Sequence, residues 1–149
     1  MSDLSRRDGL EEELRLLTSE FFRSVSFETG QVPSYERLLD LFIDSGLLIK
    51  NSGSKPETST VRQFIEPRQA MVRSGELTRF HEVEISANTE FFGNVAHRFS
   101  VYAKSGTLKG IPFAGRGMIS TQFVRTPAGW KMSAMAWDDE RPDLLLPDH

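Results

Sequence analysis

Hydrophobic residues recur every three or four positions in the first half of the chain, a spacing that predicts three helices over residues 9–28, 33–46 and 60–74. Charged residues separate the apolar positions of the first helix, as in an amphipathic helix whose buried stripe is Leu10, Leu14, Leu17, Phe21 and Val25. A short apolar run at 47–49 is interpreted as a strand, and the polar run at 51–56 as a loop.

The third predicted helix carries two local signals. Thr60 and Gln63 have the spacing of a capping box, in which each side chain satisfies the other residue's backbone amide. Pro67 has no backbone N–H and disfavours helical geometry in the residue before it. We therefore expect a helix that begins at Thr60 and is kinked or broken between Ile65 and Arg68.

From Leu77 the hydrophobic period changes to two, which predicts four consecutive strands over residues 77–140. The expected boundaries are a break at 92–94, a turn at 104–106 and a strand opening at 112–115. The last two strands are apolar on both parities, which is typical of strands buried on both faces. A second copy of the chain is the expected cover for the side of the sheet that the helices leave open.

Composition favours one ordinary globular domain over residues 1–149, with flexible tails at 1–8 and 142–149. The net charge of -3 provides no basic surface for a phosphate backbone, so nucleic-acid binding is not expected. No segment has the apolar length of a signal sequence or membrane span, and the chain contains no cysteine for disulfides or thiolate chemistry. We expect a cytoplasmic protein with no membrane partner.

Over residues 10–141 the chain resembles the nuclear transport factor 2-like superfamily, and within it the polyketide-cyclase-like and ketosteroid-isomerase-like small bacterial proteins. The segments that carry the resemblance are 35–44, 64–70, 93–100, 115–117, 122–124 and 129–131. It implies an α+β, cystatin-like cone, with three N-terminal helices on a strongly bent, mostly antiparallel sheet, a pocket between them and a homodimer across the outer face. Folds of this kind host many activities, so the fold alone names none.

The resemblance also allows one functional residue to be checked. Ketosteroid isomerases end a short helix with two consecutive Asp residues, the second of which is the proton-shuttling base. Here Asp44 matches the first Asp and Ser45 takes the place of the second. The isomerase base is missing, and Asp44 is interpreted as a helix-end or turn residue.

His81 and His97 are the candidate catalytic residues, because both share a strand parity with apolar neighbours. If that parity faces the helices, two imidazoles point into the pocket, where a pKa near neutrality suits acid-base chemistry. Asp44 or Tyr35 is the expected companion of these rings. The alternative is that each histidine is a structural side chain hydrogen-bonded to the backbone or to a hydroxyl group. Two solvent-facing rings, in a protein whose cavity has no other titratable group, would remove the acid-base hypothesis.

The candidate ligand-binding residues are two arginines among apolar neighbours and four aromatic residues: Arg98, Arg116, Tyr35, Tyr102, Trp130 and Trp137. Intrachain salt bridges and core packing are the alternatives for these side chains. The histidines and a carboxylate have metal-ligating atoms, but no metal-binding spacing is present, so neither a metal nor a cofactor is expected.

Three functions remain open from the sequence. The first is a homodimer that binds a small, largely apolar molecule without demonstrated catalysis. The second is an isomerase, lyase or cyclase that uses a pocket histidine as general acid-base. The third is a scaffold for partner proteins whose cavity is filled by side chains. A cavity of a few hundred cubic ångströms with titratable groups would separate the second function from the third.

Overall fold

The computed structural model describes residues 3–147 and shows an α+β arrangement of helices and one sheet. The helices are α1 (Asp3–Val25), α2 (Leu38–Leu41), which a 3-10 turn at Tyr35–Arg37 precedes, and α3 (Val61–Arg73). The six strands are β1 (Phe42–Lys50), β2 (Glu57–Thr60), β3 (Leu77–Phe92), β4 (Val95–Leu108), β5 (Ile111–Thr126) and β6 (Gly129–Asp139). Three helices and the four C-terminal strands confirm the predicted α+β class.

The sheet has the strand order β2-β1-β6-β5-β4-β3. All neighbours pair antiparallel except β1 and β6, which pair parallel. The chain leaving α1 also joins the sheet, since Phe27 and Phe80 exchange backbone hydrogen bonds of 2.8 and 3.1 Å. The sheet is therefore mixed, and α1 is attached along its β3 edge.

The second helix is shorter than predicted. It ends at Leu41, and Phe42 begins β1 instead of continuing the helix to residues 44–46. Phe42 is buried and pairs with Met132 of β6, so its pairing with a distant strand overrides the helical spacing of its neighbours. A register irregularity between Phe42 and Leu47 absorbs the extra residues.

The turn expected at 104–106 was placed wrongly, because β4 continues to Leu108. The chain reverses at Lys109 and Gly110, whose φ values of 51° and 78° suit a two-residue hairpin. Gly106 is instead a close-approach position, since a Cβ there would lie 2.5 Å from the Arg79 carbonyl oxygen.

The helix start at Thr60 is confirmed, but the break at Pro67 is absent. The Gln63 N–H donates to Thr60 Oγ1 at 3.1 Å, and the Thr60 N–H donates to Gln63 Oε1 at 3.0 Å. Pro67 lies inside a continuous α3. Pro67 removes the helical donor of the Gln63 carbonyl, and both residues are exposed.

Parts of the predicted tails that the structure describes belong to regular or hydrogen-bonded segments. Residues 3–8 belong to α1, which starts six residues before the predicted position. Near the C-terminus, Arg141 and Leu144 exchange backbone hydrogen bonds of 3.0 and 2.8 Å, and the Leu146 N–H donates to the Glu140 carboxylate at 2.8 Å. Among residues 3–147, no helix combines the length and hydrophobicity needed to cross a membrane.

The core lies between the helices and the inner face of the sheet. Its fully buried members come from both layers and include Leu14, Leu38, Ile65, Phe123, Met132 and Met135. The outer face has no cover within the described chain, and apolar side chains such as Ile85, Val95 and Phe99 are exposed on it.

Candidate functional site

A cavity of about 310 Å³ lies between α1, the 3-10 turn, α3 and the inner face of the sheet. Its walls are mainly aromatic and aliphatic and include six large apolar side chains: Phe21, Phe64, Met71, Phe80, Phe113 and Trp137. Five polar side chains also reach it: Tyr35, Lys50, Arg68, Glu82 and Lys104. An apolar pocket with a few convergent polar groups is the usual form of a small-molecule site.

Glu82 and Lys104 are brought to the cavity by strand register. They are direct neighbours on β3 and β4, so both side chains leave the same face of the sheet. The Glu82 N–H donates to Ser26 Oγ at 3.0 Å, which fixes this part of β3 against the end of α1. Both polar groups are thus held by paired backbone and not by a free loop.

Glu82 is the most perturbed acid of the site. Burial raises its pKa to about 7, although the charges of Lys104 and Arg68 act in the opposite direction. Within residues 3–147 its carboxyl group has no side-chain hydrogen bond or ion pair. Lys104 is engaged elsewhere, since its Nζ lies 2.9 and 3.1 Å from the two carboxylate oxygens of Asp139. A carboxyl group that titrates near neutrality can both accept and donate a proton.

Arg68 enters the cavity from α3. Its Nη1 donates to the Phe64 carbonyl oxygen at 2.9 Å, and the guanidinium carbon lies 3.6 Å from the centre of the Phe64 ring. Burial lowers the pKa of this guanidinium, and the nearby acidic groups oppose that effect. No carboxylate among the described side chains forms an ion pair with it, so its charge is only partly compensated by the protein.

Tyr35 contributes a hydroxyl group from the 3-10 turn. The residue is only 2% exposed, and burial raises the pKa of the phenol to about 12 against the attraction of Arg68. In the described part of the chain the hydroxyl makes no hydrogen bond. A neutral phenol of this kind is available as a donor to a bound molecule.

The expectation that His81 and His97 face this cavity is wrong. Their side chains are 52% and 53% exposed, and His97 Nε2 lies 2.8 Å from the carboxylate of exposed Glu90. The parity shared by the histidines, Val83 and Phe99 faces outward, whereas the polar parity of β3 and β4 faces the helices. Polar residues can face inward here because Glu84 of β3 and Arg98 of β4 form an ion pair with each other.

The other sequence candidates are distributed between the cavity, the core and the surface. Tyr35 and Trp137 line the cavity. Asp44 is exposed on β1, and Arg116 is an exposed partner of Glu140 at 3.1 Å, so neither reaches the cavity.

Three further candidates are buried away from the cavity lining. Trp130 belongs to the core. Tyr102 donates to the Asp139 carboxylate. Arg98 is held by Glu84, with N–O distances of 2.9 and 2.6 Å. These contacts support the structural alternatives for the three side chains.

Sequence reasoning missed Glu82, Arg68 and Lys104. In the sequence Glu82 lies on the polar parity of its predicted strand, and Arg68 and Lys104 lie in the predicted third helix and the predicted turn. The available signal was the alternation itself, since Glu82 and Lys104 lie on regular period-2 strands. The sequence alone does not show which parity faces inward, because that depends on how each strand pairs with its neighbours.

A second, open depression of about 700 Å³ lies between α1 and β3, with His81, Arg15 and Glu28 on its walls. Glu82 lines both the depression and the cavity. Within residues 3–147 no group of three or more histidines and acids is arranged to hold a metal ion.

Comparison with known proteins identifies the fold. No protein-family model matches the chain, and no curated protein matches it. Among solved structures, an NTF2-like superfamily protein from Salmonella enterica is similar with a TM-score of 0.75 and 11% identity, over 96% of this chain and 99% of that one.

Two further solved structures extend the likeness. A putative dehydratase from the NTF2-like family of Streptomyces avermitilis has a TM-score of 0.70 and 14% identity, covering 91% and 99% of the two chains. An NTF2-like protein with a cystatin-like fold from Novosphingobium aromaticivorans has a TM-score of 0.67 and 16% identity, covering 94% and 90%. The described chain therefore has the nuclear transport factor 2-like, cystatin-like fold.

Proposed function

We propose that this protein binds a small, largely apolar molecule in the cavity between the helices and the inner face of the sheet. The observation that carries the proposal is the cavity itself, which has about 310 Å³ of space, aromatic walls and a few unpaired polar groups. Side-chain packing that served stability alone would fill such a space, because interiors of proteins are packed nearly as densely as organic crystals. The cavity also favours binding over a scaffold whose interior is filled.

Blocking the cavity tests this proposal. Met71 lies on its wall, so Met71→Trp places an indole in the space a ligand would use. The neutral probe 2-naphthamide should bind the wild type, and isothermal titration calorimetry should show at least about tenfold weaker binding to the variant. Leu16→Trp is the control, because it adds the same ring at an exposed position on α1. Equal binding to wild type and Met71→Trp, or no binding to the wild type, would refute the proposal.

A second proposal is that the cavity catalyses proton transfer, with Glu82 as the acid-base group in place of the histidines. Glu82 has a pKa of about 7, lies against apolar walls and is free of protein partners in the described chain. Isomerisation, β-elimination and cyclisation can all begin with removal of a proton next to a carbonyl group. A dehydratase is the function suggested for the similar Streptomyces protein, so this reaction class is compatible with the fold.

Deuterium exchange next to the carbonyl of 2-tetralone, followed by NMR in heavy water near neutrality, tests the second proposal. The wild type should accelerate exchange, and Glu82→Gln should slow it by about 100-fold or more, toward the uncatalysed rate. His81→Gln and His97→Gln should leave it unchanged, because both rings lie outside the cavity. Exchange that survives Glu82→Gln, or is lost in a histidine variant, would exclude Glu82 as the proton carrier.

We also propose that the protein acts as a two-fold homodimer formed across the outer face of the sheet. Val95 and Phe99 are each 48% exposed on this face, beside His97. A specific interface there should bury at least about 1,000 Å². In sedimentation velocity at micromolar concentration the wild type should be a dimer, Phe99→Glu a monomer and the control Leu16→Glu a dimer. A monomeric wild type would remove the proposal.

A further inference from the structure

The cavity carries more positive than negative charge. Lys50, Arg68 and Lys104 reach it, whereas Glu82 is the one acid on its wall among residues 3–147. Asp139 neutralises Lys104 through two contacts of 2.9 and 3.1 Å. Two cations therefore remain without an ion-pair partner in the described chain, and Arg68 is the more enclosed of the two.

Arg68 lines the cavity, and one edge of its guanidinium has no partner in the described chain. Nη1 is used by the Phe64 carbonyl, and one face of the plane is covered by the Phe64 ring. Nε and Nη2 form no hydrogen bond with the described side chains or backbone. These two atoms make up the fork that binds a carboxylate through two parallel hydrogen bonds.

Tyr35 provides a second, independent donor in the same cavity. The residue as a whole is only 2% exposed, it lines the cavity, and its hydroxyl has no hydrogen-bond partner in the described chain. Tyr35 and Arg68 line the same cavity, and the charge of Arg68 lowers the pKa of the Tyr35 phenol against the larger effect of burial. Because Tyr35 lines the cavity, an oxygen of a bound molecule could accept the hydrogen bond that this hydroxyl does not make within the described chain.

From these contacts we infer that the ligand of the cavity is an apolar carboxylic acid, whose carboxylate is bound by the free edge of Arg68 and the hydroxyl of Tyr35. This inference rests on the proposed binding function and specifies the class of molecule. The planar fork and one hydroxyl match the few oxygens of a carboxylate, and the aromatic walls take the remainder of the molecule. Burial of the guanidinium increases the gain from a bound anion, because little water competes for its charge.

Matched probes separate the charge from the shape of the ligand. Benzoate and 2-naphthoate differ from benzamide and 2-naphthamide only in the anionic group, and all four can be measured by calorimetry at one salt concentration. Of benzoate and 2-naphthoate, the one that the wild type binds more tightly should bind at least about tenfold more tightly than the corresponding amide. Arg68→Gln should abolish this preference while retaining amide binding, and Tyr35→Phe should weaken carboxylate binding by a few-fold.

Arg62→Gln is the control, because Arg62 lies on the same helix but is exposed. It should leave the preference unchanged, so a general loss of positive charge can be distinguished from loss of the fork. Equal binding of acid and amide by the wild type overturns the carboxylate site and leaves the cavity proposal standing. A preference that survives Arg68→Gln also overturns it. Binding of no probe by the wild type overturns both proposals.

Discussion

Glu82 and Glu84 are two residues apart on β3, and both side chains point toward the helices, but their surroundings differ. Glu84 accepts hydrogen bonds from Arg98 Nε and Nη2 at 2.9 and 2.6 Å and from Ser100 Oγ at 2.6 Å. Arg98 also donates a hydrogen bond from Nη1 to the Thr89 hydroxyl oxygen at 2.8 Å. Glu82 has no such side-chain partner in the described part of the molecule and lies on the cavity wall.

The comparison separates polar groups that hold the fold from polar groups that remain available. Arg98, Glu84, Thr89 and Ser100 satisfy one another's hydrogen bonds across β3 and β4, so these groups stabilise the native structure and are not available to a ligand. Around the cavity, Glu82, Arg68 and the hydroxyl of Tyr35 are each less than fully satisfied by the protein. We interpret the second set as the part of the interior that interacts with another molecule.

The largest expected effect comes from breaking the satisfied cluster. Arg98→Met leaves the Glu84 carboxylate buried without its cationic partner, so the free energy of unfolding should fall by about 3 to 5 kcal/mol. The matched variant Arg68→Met removes a cation that no carboxylate of the described chain pairs with, and it should leave stability nearly unchanged. Urea denaturation of both variants measures the difference. Equal losses would show that the two arginines have the same structural role.

A smaller effect, dependent on pH, is expected at the unsatisfied acid. Burial raises the pKa of Glu82 from 4.5 to about 7, so the folded state binds its proton more tightly than the unfolded state does. The contribution of Glu82 to stability is therefore present below pH 4.5 and is lost as the pH rises to 7, because ionised Glu82 is penalised only when folded. Glu82→Gln has no proton to lose, and above pH 7 it should be more stable than the wild type by about 3 kcal/mol.

Urea denaturation at pH 5 and pH 8 checks this linkage. The stability advantage of Glu82→Gln should be small at pH 5 and large at pH 8. Glu66→Gln, at an exposed position on α3, should show no such change. An advantage for Glu82→Gln that is the same at both pH values would mean that Glu82 titrates normally in the folded protein.

The order of elements could be predicted because hydrophobic spacing is a local property of the chain. The capping box at Thr60 and the strand period from Leu77 both depend on neighbours in sequence, and both are present. The hairpin at Lys109–Gly110 was missed since Gly106 gave the stronger local turn signal. Gly106 is instead required by a close approach to the carbonyl oxygen of Arg79, a residue 27 positions away in the sequence.

The location of the site could not be predicted, because alternation shows that a strand has two faces and not which of them is inside. Over residues 81–84 of β3 and 95–99 of β4, the parity that contains the histidines and most of the apolar residues faces outward, and the other parity is inside, where Arg98 and Glu84 pair. That choice depends on register between strands, which places His81 and His97 outside and Glu82 on the cavity. Tyr35 and Trp137 were found from the sequence as aromatic candidates, but their nearness to Arg68 and Glu82 depends on the packing of α3.

The smallest effect concerns an unsatisfied polar group that does not line the cavity. Thr121 is buried opposite Arg98 in the register of β4 and β5, and its hydroxyl has no hydrogen-bond partner among residues 3–147. Thr121→Val keeps the shape and removes the hydroxyl, so it should raise the free energy of unfolding by about 1 kcal/mol.

Thr18→Val is the matched control, since the Thr18 hydroxyl is equally buried but donates to the Leu14 carbonyl at 2.8 Å. It should lower stability by about 1 kcal/mol. Denaturation curves with opposite shifts would show that hydrogen-bond satisfaction, and not burial of a hydroxyl as such, decides the sign. A loss of stability in both variants would mean that the Thr121 hydroxyl has a partner in solution.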